Sequence, residues 1–470
     1  MLVVVLLAAL MPTSALASSP GGPNLTPGNT GTAVPRVADG PGLNVGKNST
    51  FHGGAALSIG FDSNVFSEQR TVAVTKDGQS IYEFRRPARA AYALPSVWLS
   101  LGNRSMRSGM LDTPAKSSGR KVDYHINFVM GWRVYMARNR AVRQASKPNV
   151  GLNMRFAFAP GRRFSFAIED DTYFVGEPMN FQALRQWNFN RIDNSLALRF
   201  TLRPSGGRIS LDVAYRNELL YFLSNELPDT SDRVVNGIET ETKYRFRDRS
   251  AFAVRYSFHY TTYFCCVETG TGRNEDSQAH RVLAGYVGQL GKKVVLEVMA
   301  GYGAGLYKLD NTGPNHTNFI GYAALGVFPT PKTQIGLRIG RSFHDSLFGN
   351  FISDVGGSLA AGHEFRWKMR FDAGLGIYAR RYAGLPIPGQ DIQTIAEYLN
   401  APGFVRRDTL VSANFQLEQP FGKYAVVGLR YTVSADITDF QVRYVDAFLN
   451  QFDEARFTRN LVMLFAAVRY

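Results

Sequence analysis

A chain of 470 residues with 53 Lys and Arg against 38 Asp and Glu carries a formal net charge of +15 at pH 7. Charged residues make up 19% and mean hydropathy is −0.16, which excludes a bundle of membrane-spanning helices. The basic residues are dispersed along the chain, which argues against nucleic acid as a partner.

The only long apolar run, residues 1–11, is too short to span as a helix, and Ala15 and Ala17 follow it in the small-x-small pattern of a cleavage site. Residues 1–17 therefore read as a signal peptide. No Lys or Arg precedes the run, so a buried N-terminal helix stays open as the alternative. Residues 18–50 are rich in Gly, Pro, Asn and Thr without periodicity and read as a flexible periplasmic leader.

From 51 to 470 the chain takes on a two-residue rhythm. Phe252, Val254, Tyr256, Phe258 and Tyr260 alternate with Ala253, Arg255, Ser257, His259 and Thr261, which puts an apolar row on one face of a strand. The same pattern predicts strands at 51–61, 90–101, 121–135, 148–158, 164–174, 190–203, 208–222, 234–247 and 251–265. It predicts more at 280–290, 293–307, 317–328, 333–343, 353–365, 369–382, 408–420, 424–438 and 456–470. Tight connections such as Pro160-Gly161-Arg162-Arg163, Arg247-Asp248-Arg249-Ser250 and Phe421-Gly422-Lys423 each follow an even-numbered strand. The odd-numbered connections are mostly longer, above all 62–89 and 383–407, where 390–400 has helical character.

Alternating short and long connections with an even strand count are the pattern of a transmembrane barrel. The expected fold is all-β: an antiparallel outer-membrane β-barrel of about 18 strands, residues 51–470, with both termini periplasmic in a Gram-negative cell. A soluble sandwich or propeller would not require the connections to alternate in length. Tyr470, after Val462, Leu464, Ala466 and Val468, resembles the C-terminal signal read by the barrel-assembly machinery.

With the apolar face on lipid, the other face lines the interior. This places Arg133, Arg155, Arg199, Arg203, Arg216, Arg255, Arg338, Arg370, Arg380 and Arg430 inside, with Asp123, Glu169, Asp212 and Glu418. The chain has 41 Arg against 12 Lys, and a guanidinium suits carboxylate, sulfate and phosphate groups. These arginines either stiffen the wall through pairs with Asp and Glu or form a track for an anionic solute or polymer. Any partial closure of the pore would come from the long loops 62–89 and 383–407, which read equally as a lid or as surface ornament. The adjacent Cys265 and Cys266 read as part of a loop boundary, without a metal or redox role.

The first strand runs through Phe61 into Asp62-Ser63-Asn64-Val65-Phe66. This block resembles that of the β-barrel porin family of exopolysaccharide-associated loci, and of myxobacterial-type capsule export barrels within it. The block itself reads as a structural turn, since Asp62, Ser63 and Asn64 can bond their own backbone. The resemblance implies export of a capsule-type polysaccharide, delivered by separate periplasmic and inner-membrane components. The alternative is a general or anion-selective diffusion porin. A surface enzyme or adhesion scaffold is a third reading, and for an enzyme His344-Asp345-Ser346 is the only suggestive cluster. Neighbours on a strand point to opposite faces, so those three do not converge, and no catalytic residue, cofactor or metal is assigned.

Overall fold

The structure, a computed structural model, describes residues 41–45, 49–67, 71–76, 79–84, 87–103, 121–176, 190–204, 207–223, 232–264, 276–307, 315–346, 351–383, 406–438, 441–446, 449–454 and 456–470. The signal peptide, most of the leader, both cysteines and most of loop 383–407 lie outside these residues.

The chain begins with β1 (Leu43–Val45), β2 (Ser49–Asp62), β3 (Thr71–Lys76), β4 (Gln79–Phe84), β5 (Ala90–Gly102) and β6 (Val122–Met136). A one-turn helix, α1 (Arg140–Gln144), leads to β7 (Lys147–Phe158), β8 (Phe164–Val175), β9 (Arg191–Leu202), β10 (Ile209–Phe222) and β11 (Arg233–Arg247). Next come β12 (Ser250–Tyr263), β13 (Ser277–Gln289), β14 (Val294–Tyr307), β15 (His316–Thr330), β16 (Thr333–Asp345) and β17 (Phe351–Glu364). The series ends with β18 (Arg370–Ala383), β19 (Arg407–Phe421), β20 (Ala425–Thr438), β21 (Gln441–Asp446), β22 (Leu449–Glu454) and β23 (Phe457–Arg469).

Strands β2, β5 to β20 and β23 pair in sequence order, each antiparallel to the next, and β23 returns to β2 with Gly54 opposite Arg469 and Asp62 opposite Leu461. The result is a closed antiparallel barrel of 18 strands. Every predicted strand is present, with ends that differ by three residues at most. The tight connections gather at one end of the barrel, and the long ones at the other. The exceptions are 103–121, a long connection at the tight-turn end, and 346–350, a short one at the loop end.

Leu57, Ile59, Phe61, Phe200, Phe252, Val254, Ile339, Leu464 and Val468 are exposed on the outer face, alternating with polar, small or buried inner residues. A continuous exposed band of this kind is stable only against an apolar solvent. No helix among the described residues is long and apolar enough to cross a membrane.

Two features fell outside the sequence reading. Leu43 to Val45 pair with Phe51 to Ser49, so the end of the expected leader is a strand folded back on β2. The connection 62–89 holds a hairpin, β3–β4, and 439–456 holds another, β21–β22. These join through β22 and β3 into a second, four-stranded sheet at the loop end, bridging the first and last connections of the barrel.

Candidate functional site

The inner wall has three regions of different chemistry. The first surrounds the seam between β2 and β23. The Asp62 carboxylate accepts from the Arg459 guanidinium at 2.6 and 3.1 Å and from the Tyr135 hydroxyl at 2.8 Å, all buried. Asp62 also accepts from the backbone N–H of Asn64 at 3.0 Å. The Asn64 amide donates to the Thr458 carbonyl at 3.1 Å, and the Ser63 hydroxyl accepts from the Asn460 N–H at 2.8 Å. Val65 and Phe66 pack on an apolar cluster of Tyr92, Leu94, Trp98, Met463 and Phe465. The Asp62–Phe66 block is thus a clasp that ties the first strand to the last and to β6. Arg133 belongs to the same clasp: it donates to Tyr135 and lies 5.1 Å from the centre of the Tyr92 ring.

The second region, β7 to β12, is polar and in part exposed, around Arg155, Glu169 and Arg199, while Ser195, Thr201, Glu218 and His259 are buried. Arg155 and Arg199 flank Glu169 at 3.3 and 3.9 Å, and their side chains remain 40% and 34% exposed. Arg216 pairs with Glu239 at 3.2 Å and donates to Ser195 at 3.1 Å. Arg255 joins Glu241, Tyr322 and, at 2.8 Å, Glu297. Asn153 donates to Asp171 at 2.6 Å. Positive and negative groups balance along this wall. At its tight-turn end the balance is lost: Arg162, Arg163, Arg203, Arg208, Arg245, Arg247 and Arg249 stand at the three neighbouring turns of this sector, with Asp248 as their acidic residue.

The third region is a partition. The β15–β16 ladder stops at Gly321 opposite Arg341, although both strands continue toward the loop end. Beyond that point β16 stays paired only to β17, with Phe343 opposite Ser353 and Asp345 opposite Phe351. The freed end of β16 bends inward with the start of β17. By register Phe343 belongs with the exposed Ile335, Leu337 and Ile339, yet it is 1% exposed. It packs over β14, where Gly303 and Gly305 leave the space it fills; a Cβ at Gly303 would lie 2.5 Å from its ring. The His316 ring stacks on Phe343 at 4.2 Å, and the Arg281 guanidinium lies 4.3 Å from the ring centre and donates to the Phe343 carbonyl. Asp345 accepts from Thr261 at 2.7 Å and from Ser277 and Tyr307 at 3.3 Å, on three different strands.

On the other face of the tip, Asp354 makes a two-pronged pair with Arg380 at 2.8 and 3.0 Å, both fully buried, and His344 approaches Asp354 at 3.4 Å. Arg406 stacks on Tyr382 and pairs with Asp408 and Asp436. His344 and Asp345 thus face opposite sides, and no triad forms. Among the described residues no three His, Cys, Asp or Glu are grouped to hold a metal.

The ten predicted arginines do not form one track. Arg155, Arg199, Arg203, Arg216 and Arg255 share the open sector. Arg338 lies over Tyr322 at 4.6 Å, Arg370 pairs with Asp372 at 2.8 Å, and Arg430 donates to Gln416 at 2.7 Å. Arg133 and Arg380 are locked in buried clusters. Sequence reasoning missed the partition, which the consecutive mixed residues Phe343-His344-Asp345-Ser346 and Phe351-Ile352-Ser353-Asp354 signal: they suit a strand covered on both faces.

Solved structures similar to this chain include a porin and a siderophore receptor. A BenF-like porin from Pseudomonas fluorescens aligns over 89% of this chain and 99% of its own, at 7% identity and a TM-score of 0.43. Acinetobacter baumannii OccAB4 aligns over 89% and 98%, at 9% identity and a TM-score of 0.39. The Pseudomonas aeruginosa siderophore receptor PirA aligns over 89% and 80%, at 6% identity and a TM-score of 0.39. No protein-family model matches the chain, and no curated protein matches it in sequence.

Proposed function

We propose that this chain is an outer-membrane diffusion channel for small hydrophilic solutes, with a preference for anions. The observation that carries it is the polar inner wall of β7 to β12, exposed at Arg155, Glu169 and Arg199, inside a closed ring whose outer face is apolar. A charge-balanced wall hydrogen-bonds many solutes without trapping one. The arginine-rich mouth raises the local concentration of anions before they enter. In this arrangement the tight turns face the periplasm.

Export of a polysaccharide, the expectation from the Asp62–Phe66 block, draws less support. The polar residues of that block are engaged in the seam, and the inward tip narrows the path against a hydrated polymer. The test is conductance of the purified barrel in a planar bilayer under a KCl gradient. Stepwise conductance with a reversal potential on the chloride side is expected. A barrel that stays silent, together with loss of surface polysaccharide on deleting the gene, would restore the export reading.

A further inference from the structure

The end of β16 has a second place to go. Continuing the ladder beyond Gly321 and Arg341 sets Ser342 opposite Ile320, Phe343 opposite Phe319, and Asp345 opposite Thr317. Phe319 is 57% exposed on the outer face, so Phe343 would join an apolar outward row. Thr317 would offer its hydroxyl to Asp345. The backbone groups of 316–320 and 342–345 that now lack each other would be paired. The inward position has its own compensation: Phe343 in the glycine groove of β14, and Asp345 held by Thr261, Ser277 and Tyr307. One segment thus fits two seats, the inward one holding Asp345 through three partners and the outward one completing the β15–β16 ladder.

We infer that the tip formed by 342–346 and 351–354 is a gate, closed when seated against β12 to β15 and open when β16 re-pairs with β15 in the wall. β16 turns at Gly340 and Arg341, where the ladder to β15 stops, and the start of β17 stays paired to β18, from Phe351 opposite Ala383 to Asp354 opposite Arg380, so that β18 flexes with it; two packed arrangements of one element are the usual basis of such a switch. A solute cannot push the gate outward without breaking the Asp345 contacts, so their strength sets the closed fraction. This inference rests on the channel reading.

The test uses the full-length barrel with Cys265→Ser and Cys266→Ser. Gly303→Cys with Phe343→Cys should cross-link in the closed seat, and Phe319→Cys with Phe343→Cys in the open one. The first oxidised form should lose most of its conductance and regain it with reductant. The second should hold a raised, steady conductance. A third variant without new cysteines, Asp345→Ala, should raise the open fraction roughly tenfold. If the second pair never cross-links under sustained oxidation while the first does so fully, the tip has one seat and the inference is overturned. Equal conductance of the two oxidised forms overturns it as well. If no form conducts, the channel reading fails, and the cross-linking yields alone then decide whether two seats exist.

Discussion

The carboxylate of Asp62 and the guanidinium of Arg459 meet at 2.6 Å across the closing seam of the barrel, although 397 positions separate them in the chain. Their side chains are 0% and 5% exposed, so neither charge has water to fall back on. Asp62→Ala should cost about 3–5 kcal/mol, because it strands a buried guanidinium. Replacing both, with Asp62→Leu and Arg459→Met, should cost less than the single change. Urea unfolding midpoints in detergent, read by the heat-dependent gel shift of the barrel, check the order.

Burial separates two other pairs that look alike on paper. Asp354→Ala removes the partner of the fully buried Arg380 and should destabilise by about 3–5 kcal/mol. Asp372→Ala removes the partner of the part-exposed Arg370 and should cost less than about 1 kcal/mol. The same unfolding assay decides; similar losses would mean that Arg370 is held more tightly than its exposure indicates.

Selectivity should follow the open sector. Arg155→Ala with Arg199→Ala leaves Glu169 without its cations. The reversal potential in a KCl gradient should then move toward cations. In about 1 M salt, where screening acts within roughly 3 Å, the difference should shrink.

The last residue holds its strand by backbone as well as ring. Tyr470 donates its N–H to the Gly53 carbonyl at 2.7 Å, accepts from the Gly53 N–H at 3.2 Å, and stacks on Tyr424 at 5.8 Å. Removing Tyr470 should lower the yield of assembled barrel in membranes while leaving the unit conductance of assembled molecules unchanged. Membrane fractionation and single-channel records measure the two separately.

Ala73 and Phe452 are register partners between β3 and β22. Ala73→Cys with Phe452→Cys should cross-link in intact cells under mild oxidant. Failure would show that the two loop hairpins do not meet.

Alternation made the wall legible because each barrel strand carries its own signal: Phe252 to Tyr260 need no partner to reveal which way they face. What the sequence could not show depends on partners far away. Asp62 reads as a turn residue until β23 is placed beside β2 and brings Arg459 to it. Phe343 has outward parity, and only the early end of the β15–β16 ladder turns it inside. The hairpins of the loop sheet are strands of six residues, too short for a periodic signal, and their pairing joins 72–74 to 451–453. The division of the arginines between buried and part-exposed groups depends on burial, which alternation does not encode.

The seam has a consequence for how the molecule forms. Each neighbouring hairpin closes a short loop, whereas joining β23 to β2 closes nearly the whole chain on itself, the contact with the greatest loss of chain entropy and the slowest to be reached. Two fastenings stand at this joint: the Asp62 clasp inside, and the β3–β22 sheet across its loop end. A chain that has reached ring closure is caught there, and weakening either fastening should lengthen the life of the open, edge-exposed intermediate rather than alter the finished barrel's dimensions.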